Sequence, residues 1–317
     1  MLTIGQERPP LVEIDIGGEV NVAALAENGE FLVSGDDTTV RVWRIQDGQQ
    51  LATMKTARVL CLAVSKDSRW IAAGLGQGEV LVWDTKTYKQ VLSYGEDEWG
   101  IHGIDFSPGS TRLIVASSNG TVFVWDVTTR EQVHRLRHDG WITTVKHSPH
   151  DDRFATATRN GSSSVRVWDS NDGCLLVDIP MVVTPTLNTG LLWFENHLIV
   201  VSDGKIKRFN PYSTVSEWLV LDSDRLSSIA LPHQGEFIAY STKSTIMLWD
   251  TSTHAQLGLI QHSSDINSIA FTPDDQFLVI GGEDGKITTK NLSHIIVSIM
   301  SRWIMAYLNL LIQSLPA

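Results

Sequence analysis

Along this chain apolar and polar residues alternate in short runs, and one run keeps returning. Val40-Arg-Val-Trp43, Val80-Leu-Val-Trp-Asp84, Thr121-Val-Phe-Val-Trp-Asp126, Val165-Arg-Val-Trp-Asp169 and Ile246-Met-Leu-Trp-Asp250 are copies of one template. Ile206-Lys-Arg-Phe-Asn210 and Ile287-Thr-Thr-Lys-Asn291 are weaker copies. The tryptophan-equivalent positions are 43, 83, 125, 168, 209, 249 and 290, so the spacing stays between 40 and 43 residues. Each run reads as a strand with period-two alternation that closes on a large anchor and then a turn former. A repeat of this period outranks every other signal in the chain.

Each period holds four such strands. In the first, Leu11–Ile16 precedes Gly17-Gly18, Val20–Leu25 leads to the hairpin signal Asn28-Gly29, and Phe31–Ser34 and Val40–Trp43 follow. The register persists in the third period, with Ile101–Phe106, Leu113–Ala116 and Asn119-Gly120, and in the seventh, with Ile266–Phe271, Phe277–Ile280 and Asp284-Gly285. Short strands bounded by turn signals at this spacing imply an all-β protein of radially repeated sheets.

Composition narrows the function classes. The chain has 317 residues, 42% of them hydrophobic, and a net charge of −11. Such an acidic chain repels nucleic-acid phosphates, which argues against nucleic acid as a partner. Of its two cysteines, Cys61 sits in an alternating strand and reads as a small apolar residue, and Cys174 follows a turn. There is no disulfide framework and no paired metal-ligand cysteine motif. The first ten residues lack an apolar signal core, so the expected compartment is the cytoplasm, with the nucleus also open.

The repeat resembles the WD-repeat family, whose units end one strand in Trp-Asp and carry a Gly-His pair before another. Trp83-Asp84, Trp125-Asp126, Trp168-Asp169 and Trp249-Asp250 match the second half, and Trp43 stands at the same position. His138 and His262 occupy the histidine position, neither after glycine. The resemblance implies a buried turn aspartate before the Trp strand, which Asp37 and Asp284 match, and a His–Asp–Trp network that looks incomplete in every unit. His262 and Asp284 have the spacing to pair, with Lys290 where their tryptophan would stand. The implied fold is a seven-bladed propeller over residues 11–292, after a lead of residues 1–10. Its ring would be closed by strand Leu11–Ile16 pairing with the strand around Ile287. The fifth unit, with Pro180, Pro185 and Phe209 in place of tryptophan, is expected to be the most distorted.

No phosphate-binding glycine loop, Gly-x-Ser-x-Gly elbow or Cys-x-x-Cys pair is present, and no cofactor or metal site is expected. The densest histidine group is His138, His147 and His150 beside Asp151-Asp152. A strand of nine residues spans roughly 30 Å, so His138 and His147 emerge at opposite ends of it. His147 and His150 read as a solvated turn. The inner strands, such as Val22–Leu25 and Leu226–Ile229, offer little to a catalyst.

Binding is the alternative to chemistry. By family resemblance, the loops before the inner strands and before the Trp strands share the rim most used for partners. Arg58, Glu96–Glu98, Trp99, Trp141, Arg159, Arg225, Lys243 and Asp36-Asp37 fall there. Arg and Trp are the residue types most enriched at binding hot spots. Trp99 and Trp141 occupy the same loop position in consecutive units and should be neighbours. Each either presents its ring to a partner or folds inward to staple its loop. The expected role is a non-catalytic scaffold or recognition module for a protein or peptide. A substrate receptor or assembly subunit of a larger complex is the first alternative, and a propeller hydrolase the second. The repeats also resemble, in texture, the propellers of fungal NACHT-type signalling proteins.

After Leu292 the pattern changes. From His294 to Gln313 there is no turn residue, and Ser298, Arg302, Asn309 and Gln313 share one narrow helical stripe, interrupted by Met305. Ser293 is a candidate N-cap for this helix, expected over residues 293–317. A membrane anchor would place Arg302 mid-span at a cost of about 2.5–3.5 kcal/mol. The stripe favours a helix docked on the propeller or paired with a second copy, burying Ile299, Met300, Trp303, Tyr307 and Leu311 and leaving Arg302 wet. Truncation after Leu292 is then expected to lower the melting temperature or expose an apolar patch that binds a hydrophobic dye. Membrane partitioning that depends on the tail would instead mark an anchor.

Overall fold

The computed structural model describes residues 13–95, 98–150, 152–159, 164–180, 189–202, 205–210, 213–220 (as backbone), 226–251 and 253–293. These form seven antiparallel four-stranded sheets arranged in a ring. The first blade runs outward through Val22–Leu25, Phe31–Gly35, Thr39–Arg44 and Gln50–Lys55. The third repeats it as Ile101–Phe106, Arg112–Ser117, Thr121–Asp126 and Glu131–Arg137. The first strand of each blade packs against the first strands of both neighbours, so these strands line the centre.

The core is not a single central mass. It is seven apolar layers, each made of residues from two adjacent blades. Period-two alternation explains this division. In strand Thr39–Arg44, Val40 and Val42 join a layer with Val59, Ile71 and Trp83 of the second blade. Trp43, on the other face, joins Ile14, Val279 and Ile287 of the seventh. Both faces of this third strand therefore pack against a neighbouring blade. The space between blades narrows towards the axis, and small residues fill the tight end. A Cβ on Gly35 would lie 2.6 Å from Val59 Cγ1, and one on Gly74 would lie 2.5 Å from Ile101 Cγ2.

The ring is closed by chain ends far apart in sequence. Strand Glu13–Asp15 pairs antiparallel with Lys286–Asn291, with Ile14 opposite Ile287. Ile14 and Ile16 are buried, and the Ile16 amide donates to the Gly285 carbonyl at 2.9 Å. The observed strand is shorter than the expected Leu11–Ile16, and Leu11 and Val12 lie outside the described residues.

The fifth blade keeps four strands: Gly190–Phe194, His197–Ser202, Lys205–Asn210 and Ser213–Val220. Its irregularity is local. Other blades place a bulge just before the tryptophan, as between Val124 and Trp125, whereas this blade places it after Phe209. Residues 181–188, its proline-bearing approach, lie outside the described residues, as does the expected helix from residue 294 onward.

Deleting residues 1–17 is expected to bare the backbone edge of Lys286–Asn291, lowering the melting temperature and driving concentration-dependent aggregation. Scattering and thermal melts of the deletion variant check this; a monodisperse variant with an unchanged melt would exclude the closure as a stabilising contact.

Candidate functional site: the aromatic rim

Strand direction sorts the loops into two faces. Connections between blades and turns between second and third strands share one rim; the two hairpin turns on either side of them share the other. The first rim carries the sequence-predicted cluster. Trp99 lies in the connection entering the third blade, and Trp141 opens innermost strand Trp141–His147 of the fourth. Their rings meet edge to face, with centroids 6.3 Å apart. Arg159 ends strand Arg153–Arg159, is the cross-strand partner of Trp141, and lays its guanidinium 5.4 Å from the Trp141 ring centroid. Trp99 is 49% and Trp141 42% exposed.

The loop under Trp99 is held by close approach. A Cβ on Gly100 would lie 3.0 Å from Leu60 Cδ1 and 3.2 Å from the Gly76 carbonyl, and the Gly100 carbonyl accepts the Ser118 amide at 3.0 Å. Leu60, His102, Thr143 and Asn267 each occupy a bulge near the start of an innermost strand. A bulge re-aims a side chain. His102, exposed beside Gly100, is thereby brought near Arg159. Partial desolvation of its ring, and after it that guanidinium, hold its pKa below the ordinary value. His102 is a rim residue that sequence reasoning missed; the Ile101-His-Gly103 step was the available signal.

The other predicted rim residues disperse. Arg58 pairs with Asp37 at 3.2 Å across the first and second blades, and both are more than half exposed. Lys243 is exposed in a left-handed turn of the sixth blade, beyond the fifth from the tryptophans. Arg225, Glu96 and Asp97 lie outside the described residues. Exposed Glu19, Asp37, Asp265, Glu283 and Asp284 make the seventh- and first-blade side of the rim acidic.

The structural positions need three corrections. The buried turn aspartate is Asp36, not Asp37. Asp36 directly follows strand Phe31–Gly35, so its carboxylate curls back to accept the Thr38 and Thr39 amides, each at 2.7 Å, while Asp37 sits at the tip facing water. Burial opposes ionisation of Asp36, but these amides and the two threonine hydroxyls more than offset it, and its pKa is lowered. His262 is not bonded to Asp284. Its Nε2 meets Thr288 Oγ1 at 3.1 Å, and the Asp284 carboxylate accepts the Lys286 amide within its own exposed turn. A histidine–tryptophan relay is nonetheless present in the fourth blade, centred on a hydroxyl. Trp168 Nε1 donates to Thr156 Oγ1 at 3.0 Å, and His138 Nε2 lies 2.9 Å from the same oxygen. Arg166 Nη1 is 3.3 Å from His138 Nδ1. A guanidinium only donates, so Nδ1 accepts and Nε2 carries the proton.

The remaining tryptophan anchors differ. Trp43 Nε1 donates to Ser34 Oγ at 2.9 Å, whereas Trp83 has alanine Ala73 at the equivalent site. Trp83 is buried, and Trp125 and Trp249 are partly buried in their layers. His147 is also buried, with Nδ1 against the Arg153 carbonyl and its ring edge-on to Phe154, while His150 is exposed. Among the described residues no group of three or more His, Cys, Asp or Glu is placed to hold a metal ion. Cys61 packs in its layer, and burial pushes its thiol up to about 12.

Fold and site together define a closed repeat scaffold whose exposed feature is an aromatic–cationic rim. The WD domain, G-beta repeat family matches residues 16–44, 48–84, 88–126, 130–169 and 255–288, more than half of the chain, and the chain belongs to that family. The match omits 170–254, where Phe209 replaces tryptophan. A periodic tryptophan protein 2 homolog of Dictyostelium discoideum is 22% identical over 302 residues, 83% of this chain and 32% of that protein. The chain thus spans about a third of that relative. Eukaryotic translation initiation factor 3 subunit I of Eremothecium gossypii is 20% identical over 278 residues, covering 84% of this chain and 72% of the relative. The solved structure of U3-55K superposes with a TM-score of 0.73 at 20% identity, covering 84% of this chain and 89% of that one, which shows the shared fold.

Burial, reinforced by Arg166 at His138, lowers His138 and His147 to about 4, while an unfolded histidine titrates near 6.5. The stability they confer by staying neutral is complete above pH 6.5 and is lost as pH falls from there to about 4, by up to roughly 3 kcal/mol each. His233 opposes this. Burial works against its charge, but hydrogen bonds to Glu27 and Asp275 raise its pKa, so its contribution holds at acid pH and fades as pH rises past 6.5. Melting temperatures across pH 4–7 are expected to fall on the acid side, less steeply for His138→Gln and more steeply for His233→Gln.

Proposed function

We propose that this chain is a non-catalytic protein-interaction module within a larger assembly, and that it presents Trp99, Trp141 and Arg159 to a protein or peptide partner. The observation that carries this is the mutual packing of two tryptophan rings that remain more than two-fifths exposed each, with an arginine stacked on one of them. Exposed aromatic rings backed by a rigid sheet supply contact area at low conformational cost. Arg58 flanks them through the second blade, and the acidic far side of the rim would orient a partner of mixed charge. Arg225 and Lys243 remain candidate contributors at the edge of the patch.

The relatives support a role inside complexes: one is by name a subunit of a translation initiation factor. Absence of catalysis fits the way the buried histidines are committed, His138 to Thr156 and Arg166, His147 to the Arg153 carbonyl. Propeller hydrolase activity would be the competing reading, and a broad esterase and phosphatase screen discriminates it. Among the described residues no helix is long and apolar enough to cross a membrane. Cytoplasm and nucleus both fit an interaction module of this kind. The division into a lead of 1–10, a propeller of 11–292 and a tail of 293–317 that docks or self-associates is part of the same proposal.

Replacing Trp99 and Trp141 by alanine is expected to reduce capture of the physiological partner several-fold in affinity purification with mass spectrometry, with the melting temperature unchanged. Retained partner capture together with a lowered melt would show that the rings serve the fold instead.

A further inference from the structure

The opposite face carries a second concave site, between the first and second blades. It is a groove enclosing about 740 Å³, within the range of built ligand sites. Its apolar wall is Phe31, Leu51 and Tyr88; its cationic side is Arg44, Arg69 and Lys86.

Tyr88 gives the groove its character. In the first four blades and the sixth, the turn between third and outer strands carries one residue in the left-handed region. Gly48 and Gly173 supply it at φ 69° and 73°, while Tyr88 takes φ 54° and His254 φ 59°. A tyrosine in that conformation is uncommon and strained. Here it sets an aromatic ring against the layer shared by the first two blades. The same position in the sixth blade shows how differently a groove can be built. His254 there lines a crevice of only about 20 Å³ with Phe194, Ile206 and Ile238.

The charges in the groove are unequal in availability. Its two acids are engaged locally: Asp67 accepts the Ser65 hydroxyl and the Arg69 amide, and Glu30 accepts the Asn28 side-chain amide. Arg44 is held by Asp47 and Gln49 at the margin. Arg69 lies 4.4 Å above the Trp70 ring, with its nearest carboxylate, Asp84, 4.0 Å away, and is more than half exposed. Among the described residues no carboxylate pairs with the Lys86 ammonium. On a chain of net charge −11, the lining of this groove carries three cations against two acids that keep their charge, a small cationic excess beside an apolar wall.

We propose that this groove binds a short acidic peptide segment, seating an apolar side chain against Tyr88, Phe31 and Leu51 and its carboxylates against Arg69 and Lys86. A long polyanion would meet the repulsion of the whole acidic chain; a short segment meets only the local field. The site is independent of the aromatic rim, so one chain can bridge two partners.

The test is fluorescence anisotropy with the full chain and a fluorescein-labelled peptide alternating glutamate and leucine, compared with its glutamine–leucine analogue and a single-stranded RNA oligonucleotide. The glutamate peptide is expected to bind most tightly and to weaken with salt. Arg69→Glu with Lys86→Glu, both at exposed positions, should weaken it roughly tenfold or more. Tyr88→Gly, which keeps a residue suited to the left-handed turn, should weaken it several-fold. The Trp99→Ala/Trp141→Ala variant should bind it as the parent does. Failure of the glutamate peptide to bind, affinity indifferent to the charge reversal, loss on removing the rim tryptophans, or binding of RNA in its place would each overturn the proposal.

Discussion

The constraint on which this structure rests is that no blade can bury its own apolar faces. A four-stranded sheet with alternating residues has two faces, and here the third strand is apolar on both. Val40 and Val42 are dry only because the second blade lies against them, and Trp43 only because the seventh does. Each layer thus belongs to two blades, and the ring must close for the last pair of faces to be covered. The pairing of Ile14 with Ile287 does this with chain segments at opposite ends of the described sequence. Dependence of every unit on its neighbours is general to stacked repeats, and closure extends it to the terminal ones.

Polar groups fix the rotational register that apolar layers leave loose. Ser68 Oγ accepts the Asn28 amide and Ser110 Oγ accepts the Asp67 amide, linking the first three blades through equivalent turns. At the seam the same link is made by a carboxylate: Asp275 accepts the His233 amide at 2.9 Å, and the His233 ring reaches on to Glu27. Near the axis, Ser268 Oγ exchanges hydrogen bonds with the Ala23 backbone, and Ser228 Oγ accepts the Ile269 amide. These directional contacts satisfy backbone groups that the narrowing between blades would otherwise bury.

With the scaffold so determined, function falls to what the turns display. On one rim, bulges in the innermost strands accompany the placement of Leu60 and His102 beside Gly100, next to Trp99 of the tryptophan pair. On the other, the left-handed turn holds Tyr88 at an open groove and His254 at a narrow crevice.

Much of the fold was legible in the sequence because its signals are local. Alternation sets strand position, Asn-Gly and Asp-Gly pairs set turns, and a spacing near forty residues sets the repeat, so strands such as Ile101–Phe106 were placed residue for residue. The adjacency of Trp99 and Trp141 followed from the same regularity. What tertiary structure alone decided were contacts across blades or within a turn's three-dimensional path. Asp36 and Asp37 are both turn formers in sequence, and only the path of the chain turns one carboxylate back onto the Thr38 and Thr39 amides and the other to water. Thr156 joins His138 to Trp168 because two strand pairings place its hydroxyl between them. The exposure of the rim tryptophans, the aim of His102 and the open groove at Tyr88 depend on how closely one blade approaches the next. That approach is a property of the closed ring, which no single stretch of sequence contains.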